Sequence, residues 1–161
     1  LANNYGNLCQ RVLSFINKNC NSEIPKAGEL NNIDKKLYEE IIKKISKLND
    51  MINTQDLNSY IKEVINFSFN SNKYFNDLEP WKLKNTDIKR MNTVLYCILN
   101  QIKSISILLY PIIPNSVEKT FKYLGLENRD IALKNINNFN LLKPGSKINK
   151  VDILFKKIES E

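Results

Sequence analysis

Asn7 and Arg11 stand four positions apart near the start of a 161-residue chain, and Trp81 is its sole tryptophan. An Asn amide presents a donor and an acceptor together, and an Arg guanidinium presents a planar fork of donors. At i and i+4 of a helix the two share a face. Held there, they can hydrogen-bond to the edges of one or two unstacked nucleobases. The bland alternative is a solvated or intra-bundle polar face, which a chain this rich in Asn carries anyway. Trp81 follows Pro80, whose ring fixes φ and stiffens the backbone before the indole. A tryptophan presented in that way suits a stacked base or an apolar anchor. It suits equally a core residue sealing the end of a bundle. Lys73, Lys82 and Lys84 flank this segment and are of the type that meets phosphates. Asn3 extends the Asn7–Arg11 stripe one turn earlier. Asn3 and Pro80 complete the set of candidate contacts.

Catalytic chemistry is hard to build from this chain. It has no His, which removes Ser-His-Asp and Cys-His nucleophile systems, His general bases and His metal sites. Gly6, Gly28, Gly125 and Gly145 are its only glycines, and no Gly-rich phosphate loop fits them. Acid pairs such as Glu39-Glu40 fall on polar helix faces. Cys9, Cys20 and Cys97 are odd in number, widely spaced and without a CxxC pair. That pattern fits reduced thiols in a cytosolic protein, and Cys9 has no base partner. The expectation is a binding or structural domain with no catalytic residue, no metal site and no cofactor of its own.

Lys and Arg number 24 against 17 Asp and Glu, a net charge of +7, and 42% of residues are hydrophobic. One ordinary folded domain over 1–161 follows, large enough to need no staple. Lys, Asn and Ile are abundant while the only arginines are Arg11, Arg90 and Arg129. An AT-rich genome writes such a bias, so part of the basic charge is codon drift. No stretch approaches the roughly 18 apolar residues of a membrane span, and no signal peptide is visible. The chain opens at Leu1, without Met and inside a helical pattern, and is therefore expected to be a domain excised from a longer protein.

The elements that must position these residues are helical. Leu1, Tyr5, Leu8, Val12 and Phe15 form an apolar stripe that predicts a helix over 1–18, with Asn3, Asn7, Arg11 and Ser14 on another face. A loop holding Pro25 and Gly28 leads to a helix over 32–52, capped by Asn32, with Ile33, Leu37, Ile41, Leu48 and Ile52 inward. Thr54 caps a helix over 54–75, with Leu57, Ile61, Val64, Phe67 and Ser71 inward. Residues 76–85, with Glu79-Pro80-Trp81, read as a loop. Thr86 and Asp87 open the most apolar helix, over 87–110, which Pro111 ends. Asn115 caps a helix over 115–124, stopped by Gly125 in the left-handed region. One more short turn fits 127–140, and 143–161 reads as an extended basic tail. The fold class is all-α: a bundle of about five helices with that tail.

Taken together, several segments resemble a known family. Leu1-Ala2-Asn3-Asn4-Tyr5-Gly6-Asn7-Leu8-Cys9-Gln10-Arg11 is similar to the LANxxGNLxxR helix that opens the anticodon-binding domain of bacterial methionyl-tRNA synthetases. Asn72-Lys73-Tyr74 with Glu79-Pro80-Trp81-Lys82 resembles that family's NKY…EPW passage. Leu108-Leu109-Tyr110-Pro111-Ile112-Ile113-Pro114 resembles its LxPxxP helix end. Gly145-Ser146-Lys147-Ile148 with Leu154-Phe155-Lys156-Lys157-Ile158-Glu159 resembles its closing GHKI…LFPRIE, departing at Ser146 and at Lys156-Lys157. The resemblance implies that Asn7, Arg11 and Trp81 recognise the CAU anticodon of tRNA(Met). It implies that methionine activation with ATP belongs to a Rossmann catalytic domain outside this chain. A monomeric, cytoplasmic protein with no membrane partner is the matching expectation. Two alternatives stay open: the anticodon domain of another class I synthetase, such as the cysteinyl or isoleucyl enzyme, and a helical protein–protein module.

Overall fold

The structure, a computed structural model, describes residues 2–151 and the side chains from Asn4 onward. The chain opens with one wide π-helical turn, Ala2–Gly6, that runs into α1 (Asn7–Asn19). There follow α2 (Asn32–Asn53), α3 (Leu57–Leu78), α4 (Pro80–Thr86), α5 (Ile88–Leu109) and α6 (Pro114–Tyr123). Two 3₁₀ turns, Asn128–Asp130 and Leu133–Asn137, lead to the last segment. The all-α expectation holds.

The expected loop at 76–85 is corrected to a helix. Pro80 occupies the first turn of α4, where its missing N–H would have had no partner. Glu79 ends α3 and begins α4 in the left-handed region, with φ of +45°. A non-glycine residue there costs on the order of 1–2 kcal/mol. It turns the chain through a corner with no intervening loop.

Several caps also move by a residue or two. Asn31 rather than Asn32 caps α2: its side chain accepts from the Asp34 N–H, and Asp34 accepts in return from the Asn31 N–H. Asp56 rather than Thr54 caps α3, and Asp87 rather than Thr86 caps α5. α6 begins on Pro114 without a side-chain cap. Gly125 ends α6 as expected, with φ of +73°. The Leu126 N–H bonds to the Phe121 carbonyl and the Gly125 N–H to that of Lys122, which makes a Schellman end. A Cβ at Gly125 would meet the Lys147 carbonyl at 2.9 Å, so glycine also lets the last segment pass close.

α5 is the central element. It is long and apolar enough to cross a bilayer, against the expectation that no stretch approaches this, but 94% of its apolar window is buried by its neighbours. Tyr5 is fully buried, and its hydroxyl lies 2.7 Å from Ser106 Oγ and 3.0 Å from Thr120 Oγ1. That ties the first turn of the chain to α5 and α6. The apolar stripes hold in the middle of each helix and fail at first turns. Ile33, Leu57 and Ile88 are more than half exposed. In the first turn of α2 the buried place goes to the polar Asp34, next to Ile33. Ile52, in the closing turn of α2, is exposed too.

Two buried polar groups hold the frame. The Asp34 carboxylate, wholly buried, takes both ends of the Arg90 guanidinium at 2.7 and 2.9 Å and the Tyr74 hydroxyl at 2.5 Å. This joins the N-terminal turns of α2 and α5 to the last turns of α3. Burial alone would raise the Asp34 pKa, but the bonds from Arg90, Tyr74 and the backbone N–H of Asn31 outweigh it and hold it below the usual Asp value. Lys103, buried in α5, donates to the carbonyls of Asn138 at 2.8 Å and Ile136 at 3.4 Å, its Nζ 5.2 Å from the Phe139 ring centroid. Burial pushes its pKa down to about 7.

The described part of the tail is not loose. Residues 143–149 strap back onto the loop after α1. The Gly145 N–H bonds to the Ile24 carbonyl, the Ile24 N–H to that of Ser146, and the Ile148 N–H to that of Ser22. Residues 152–161, with Lys156 and Lys157, lie outside the described residues.

Candidate nucleic-acid interface

α1, the end of α3 and α4 enclose an open groove of about 590 Å³. Arg11, Phe15 and Lys18 line it from α1, Phe75 from α3, and Trp81 and Lys84 from α4. Its floor is aromatic. Phe75 is buried and packs in edge-type contacts with Phe15, 6.2 Å between centroids, and with Trp81, 5.6 Å between centroids. Trp81 keeps 41% of its surface exposed. It is therefore not the core residue that the competing reading required: Pro80 takes the buried position and Trp81 the open one.

Arg11 shares that floor. Its guanidinium carbon lies 4.9 Å from the Phe75 ring centroid. Nη1 donates to Asn72 Oδ1 at 3.2 Å, and Nη2 to Asn76 Oδ1 at 2.5 Å. Both clamps are neutral amides, and among the described residues no carboxylate pairs with Arg11. An arginine has five N–H donors, so the clamps orient the fork without exhausting it.

Asn72 is a junction. Its amide nitrogen donates to the Asn4 carbonyl, in the π-helical turn, and to the Ser68 carbonyl of its own helix. It thereby fixes the start of α1 against α3 while its oxygen holds Arg11. Asn7 is exposed, one turn before Arg11, and its side chain makes no hydrogen bond among the described residues.

The lysines separate. Lys84 lines the groove, and its Nζ donates to Asn19 Oδ1 at 2.8 Å. Lys82 is exposed and paired with Glu79 at 2.9 Å, away from the groove lining. Lys73 pairs with Asp77 at 2.5 Å and lines a different hollow, between α2 and α3. The side chain of Asn3 lies outside the described residues. Sequence reasoning missed Lys18, Phe15, Phe75, Asn72 and Asn76 as parts of this surface. The Asn72-Lys73-Tyr74 passage was the one signal available for Asn72.

An open groove with an aromatic floor, an oriented but unneutralised arginine and lysines at its rim has the make-up of a surface that takes single-stranded RNA. Comparison with known proteins narrows this. Residues 24–161 match the family described as the anticodon binding domain of methionyl tRNA ligase. The methionine–tRNA ligase of Pyrococcus horikoshii is 32% identical over 161 residues, covering 100% of this chain and 22% of its own length. That of Thermotoga maritima is 30% identical over 162 residues, covering 100% and 26%. Among solved structures, the apo form of Mycobacterium tuberculosis methionyl-tRNA synthetase superposes with a TM-score of 0.92 at 24% identity, over 100% of this chain and 33% of that one.

This chain belongs to the family of anticodon-binding domains of methionyl-tRNA ligases. It spans about a quarter of the length of these two relatives. The family match contains Trp81 and begins after α1, so Asn7 and Arg11 precede it.

Proposed function

We propose that this chain binds the anticodon loop of tRNA(Met) and reads its CAU bases. In this reading one splayed base stacks on Trp81, and Asn7 and Arg11 hydrogen-bond to base edges. Lys84 and Lys18 meet the phosphates that carry those bases into the groove. One observation carries the proposal: Arg11 and Trp81, from helices far apart in sequence, open onto one groove and rest on one ring, Phe75. The chain acts as the C-terminal domain of a methionyl-tRNA synthetase, monomeric and cytoplasmic. Its Rossmann catalytic domain activates methionine with ATP and transfers it to the tRNA. This chain positions the tRNA and does no chemistry itself.

The test is binding of the chain to an anticodon stem-loop carrying CAU, against loops with the first base changed. The CAU loop should bind more tightly, and binding should weaken steeply with salt, as counterion release by a protein of net charge +7 requires. Equal affinity for all loops, or none for any, would sink the proposal.

A further inference from the structure

Five aromatic residues lie on α3, and the bundle buries four of them: Tyr60, Phe67, Tyr74 and Phe75. Phe69 is 57% exposed. Its place on the helix gives that exposure a meaning. Residues three, four and seven positions away on a helix share a face. For Phe69 these are Lys62, Ile65, Asn66, Asn72, Lys73 and Asn76. Asn72 and Asn76 are the two residues that hold Arg11. The face carrying Phe69 therefore continues the wall on which Arg11 rests, about 4.5 Å of helix rise before Asn72. Asn72 also bonds to the Asn4 carbonyl, so the start of α1 runs beside this wall, and Asn7 stands between Asn4 and Arg11.

Along α3 the order is then an open ring at Phe69, the amide clamps of Arg11, and Phe75 carrying the open ring of Trp81. Two exposed aromatic surfaces bracket one oriented hydrogen-bonding group. Stacked bases need π-faces, and base edges need donors and acceptors in between. Ile33, Leu57, Ile88 and Leu133 are exposed as well, but they are aliphatic and offer no π-face.

We propose that Phe69 is a second stacking platform, taking an unstacked base of the same RNA loop on the side of Arg11 away from Trp81. This rests on the anticodon-reading function proposed above. Asn66 and the amide nitrogen of Asn76 lie beside the base; the Asn72 amide is already committed to Arg11, Asn4 and Ser68, and Lys73 to Asp77. Stacking tolerates any base, so Phe69 adds affinity without adding sequence preference.

The experiment titrates the whole chain with the CAU stem-loop and with a loop whose first base is changed. It compares the parent with Phe69→Ala, Phe69→Leu and Phe69→Tyr. Trp81 is the only tryptophan, so its fluorescence reports its own occupancy independently. Phe69→Ala and Phe69→Leu should each weaken both loops by about fivefold or more, the lower end for a lost base stack. The ratio between the loops and the Trp81 signal at saturation should stay as in the parent. Phe69→Tyr should bind like the parent, because the π-face survives. Affinity within twofold of the parent for Phe69→Ala, or recovery with Phe69→Leu, would overturn the proposal. So would a dimer of the parent that Phe69→Ala dissolves with RNA affinity unchanged, which would assign this face to a second copy. If the parent bound neither loop, or bound without a Trp81 signal, the anticodon-reading function itself would fall. A failure confined to Phe69 would leave CAU preference and the Trp81 signal intact.

Discussion

Arg11 and Arg90 are held in opposite ways: Arg11 by residues of α3, and Arg90 by the Asp34 carboxylate of α2, to which Tyr74 of α3 also donates. Tyr74 joins Arg90 in a buried knot around the Asp34 carboxylate, where opposite charges meet and the carboxylate takes both ends of the guanidinium. Asn72, Phe75 and Asn76 hold Arg11 with neutral oxygens and a ring. The first arrangement neutralises a charge and locks three helices. The second aims a charge and leaves it available. A carboxylate beside an arginine consumes most of its capacity to bind a second partner, whereas an amide fixes geometry and keeps the cation. The third arginine, Arg129, is an exposed partner of Glu127 and belongs to neither class.

Removing the carboxylate of the buried knot should have the largest effect. Asp34→Ala leaves Arg90 with an uncompensated charge, and the Tyr74 hydroxyl and the α2 cap lose their acceptor. Breaking one side of a buried pair costs about 3–5 kcal/mol, read as a lower midpoint in denaturant. Acid should act in the same direction. The Asp34 pKa is depressed, so its contribution is complete above the ordinary Asp value near 3.9 and is lost as pH falls through the lowered value. A loss under about 1 kcal/mol for Asp34→Ala would show that the knot does not hold the frame.

On the groove side the effects should appear in binding and spare the fold. Trp81→Ala should weaken the CAU loop roughly 5- to 150-fold, the worth of about 1–3 kcal/mol for one stacked base. Trp81→Phe should keep part of this. The thermal midpoint should move little, because two-fifths of the indole is already in water. Arg11→Lys keeps charge but loses the planar fork, and should cost about 1–3 kcal/mol for the CAU loop and much less for a changed loop. A large drop in the midpoint of Trp81→Ala with affinity intact, or equal losses for both loops in Arg11→Lys, would move these residues to the structural side.

How much of this was legible beforehand follows from the range of each interaction. The helices were readable from local stripes, and Gly125 from its cap pattern. Asn7, Arg11 and Trp81 could be singled out from residue type and spacing, and the resemblance supplied a role for them. The corner at Glu79 was not legible, since nothing in its residue type marks a left-handed backbone. Without it, Glu79-Pro80-Trp81 read as a loop rather than a helix start. Asn72 and Asn76 were hidden by the abundance of Asn in this chain. Their meaning lies in a contact across some sixty residues of sequence, which no local pattern records. The inward assignment of Ile33 failed because the polar Asp34 takes the buried place in that turn, and a hydropathy stripe counts polar residues as outward.

Lys103 gives a smaller, pH-dependent effect. Its folded pKa near 7 lies below the ordinary lysine value of about 10.4. Between those values this residue binds more protons in the unfolded chain than in the folded one, so its own contribution to stability should rise with pH there. The buried thiols of Cys9 and Cys97, with raised pKa values, act the other way above the ordinary thiol value. The slope is at most about 1.4 kcal/mol per pH unit for one proton. Lys103→Met should remove that contribution. A Lys103→Met chain whose midpoint changed with pH in the same way as the parent's would contradict the assignment.

The smallest expected effect bears most directly on the contrast between the two arginines. Asn72→Asp keeps an oxygen for Arg11 but makes it a carboxylate, and removes the amide that donates to the Asn4 carbonyl. Arg11 should then resemble Arg90: paired, neutralised and less able to take a base edge. Fold stability should change little. An exposed ion pair adds about 0–1 kcal/mol, and the lost amide bond removes a similar amount. Affinity for the CAU loop should fall, and more so at low salt, where the new pair is strongest and the added negative charge repels phosphate most. Asn72→Ala separates the two causes. It loses both roles without adding charge, so it should loosen Arg11 and lower the preference for CAU while leaving the salt dependence as in the parent. If Asn72→Asp bound the CAU loop as tightly as the parent, the neutrality of the clamp would have no bearing on recognition, and Arg11 would be held by shape alone.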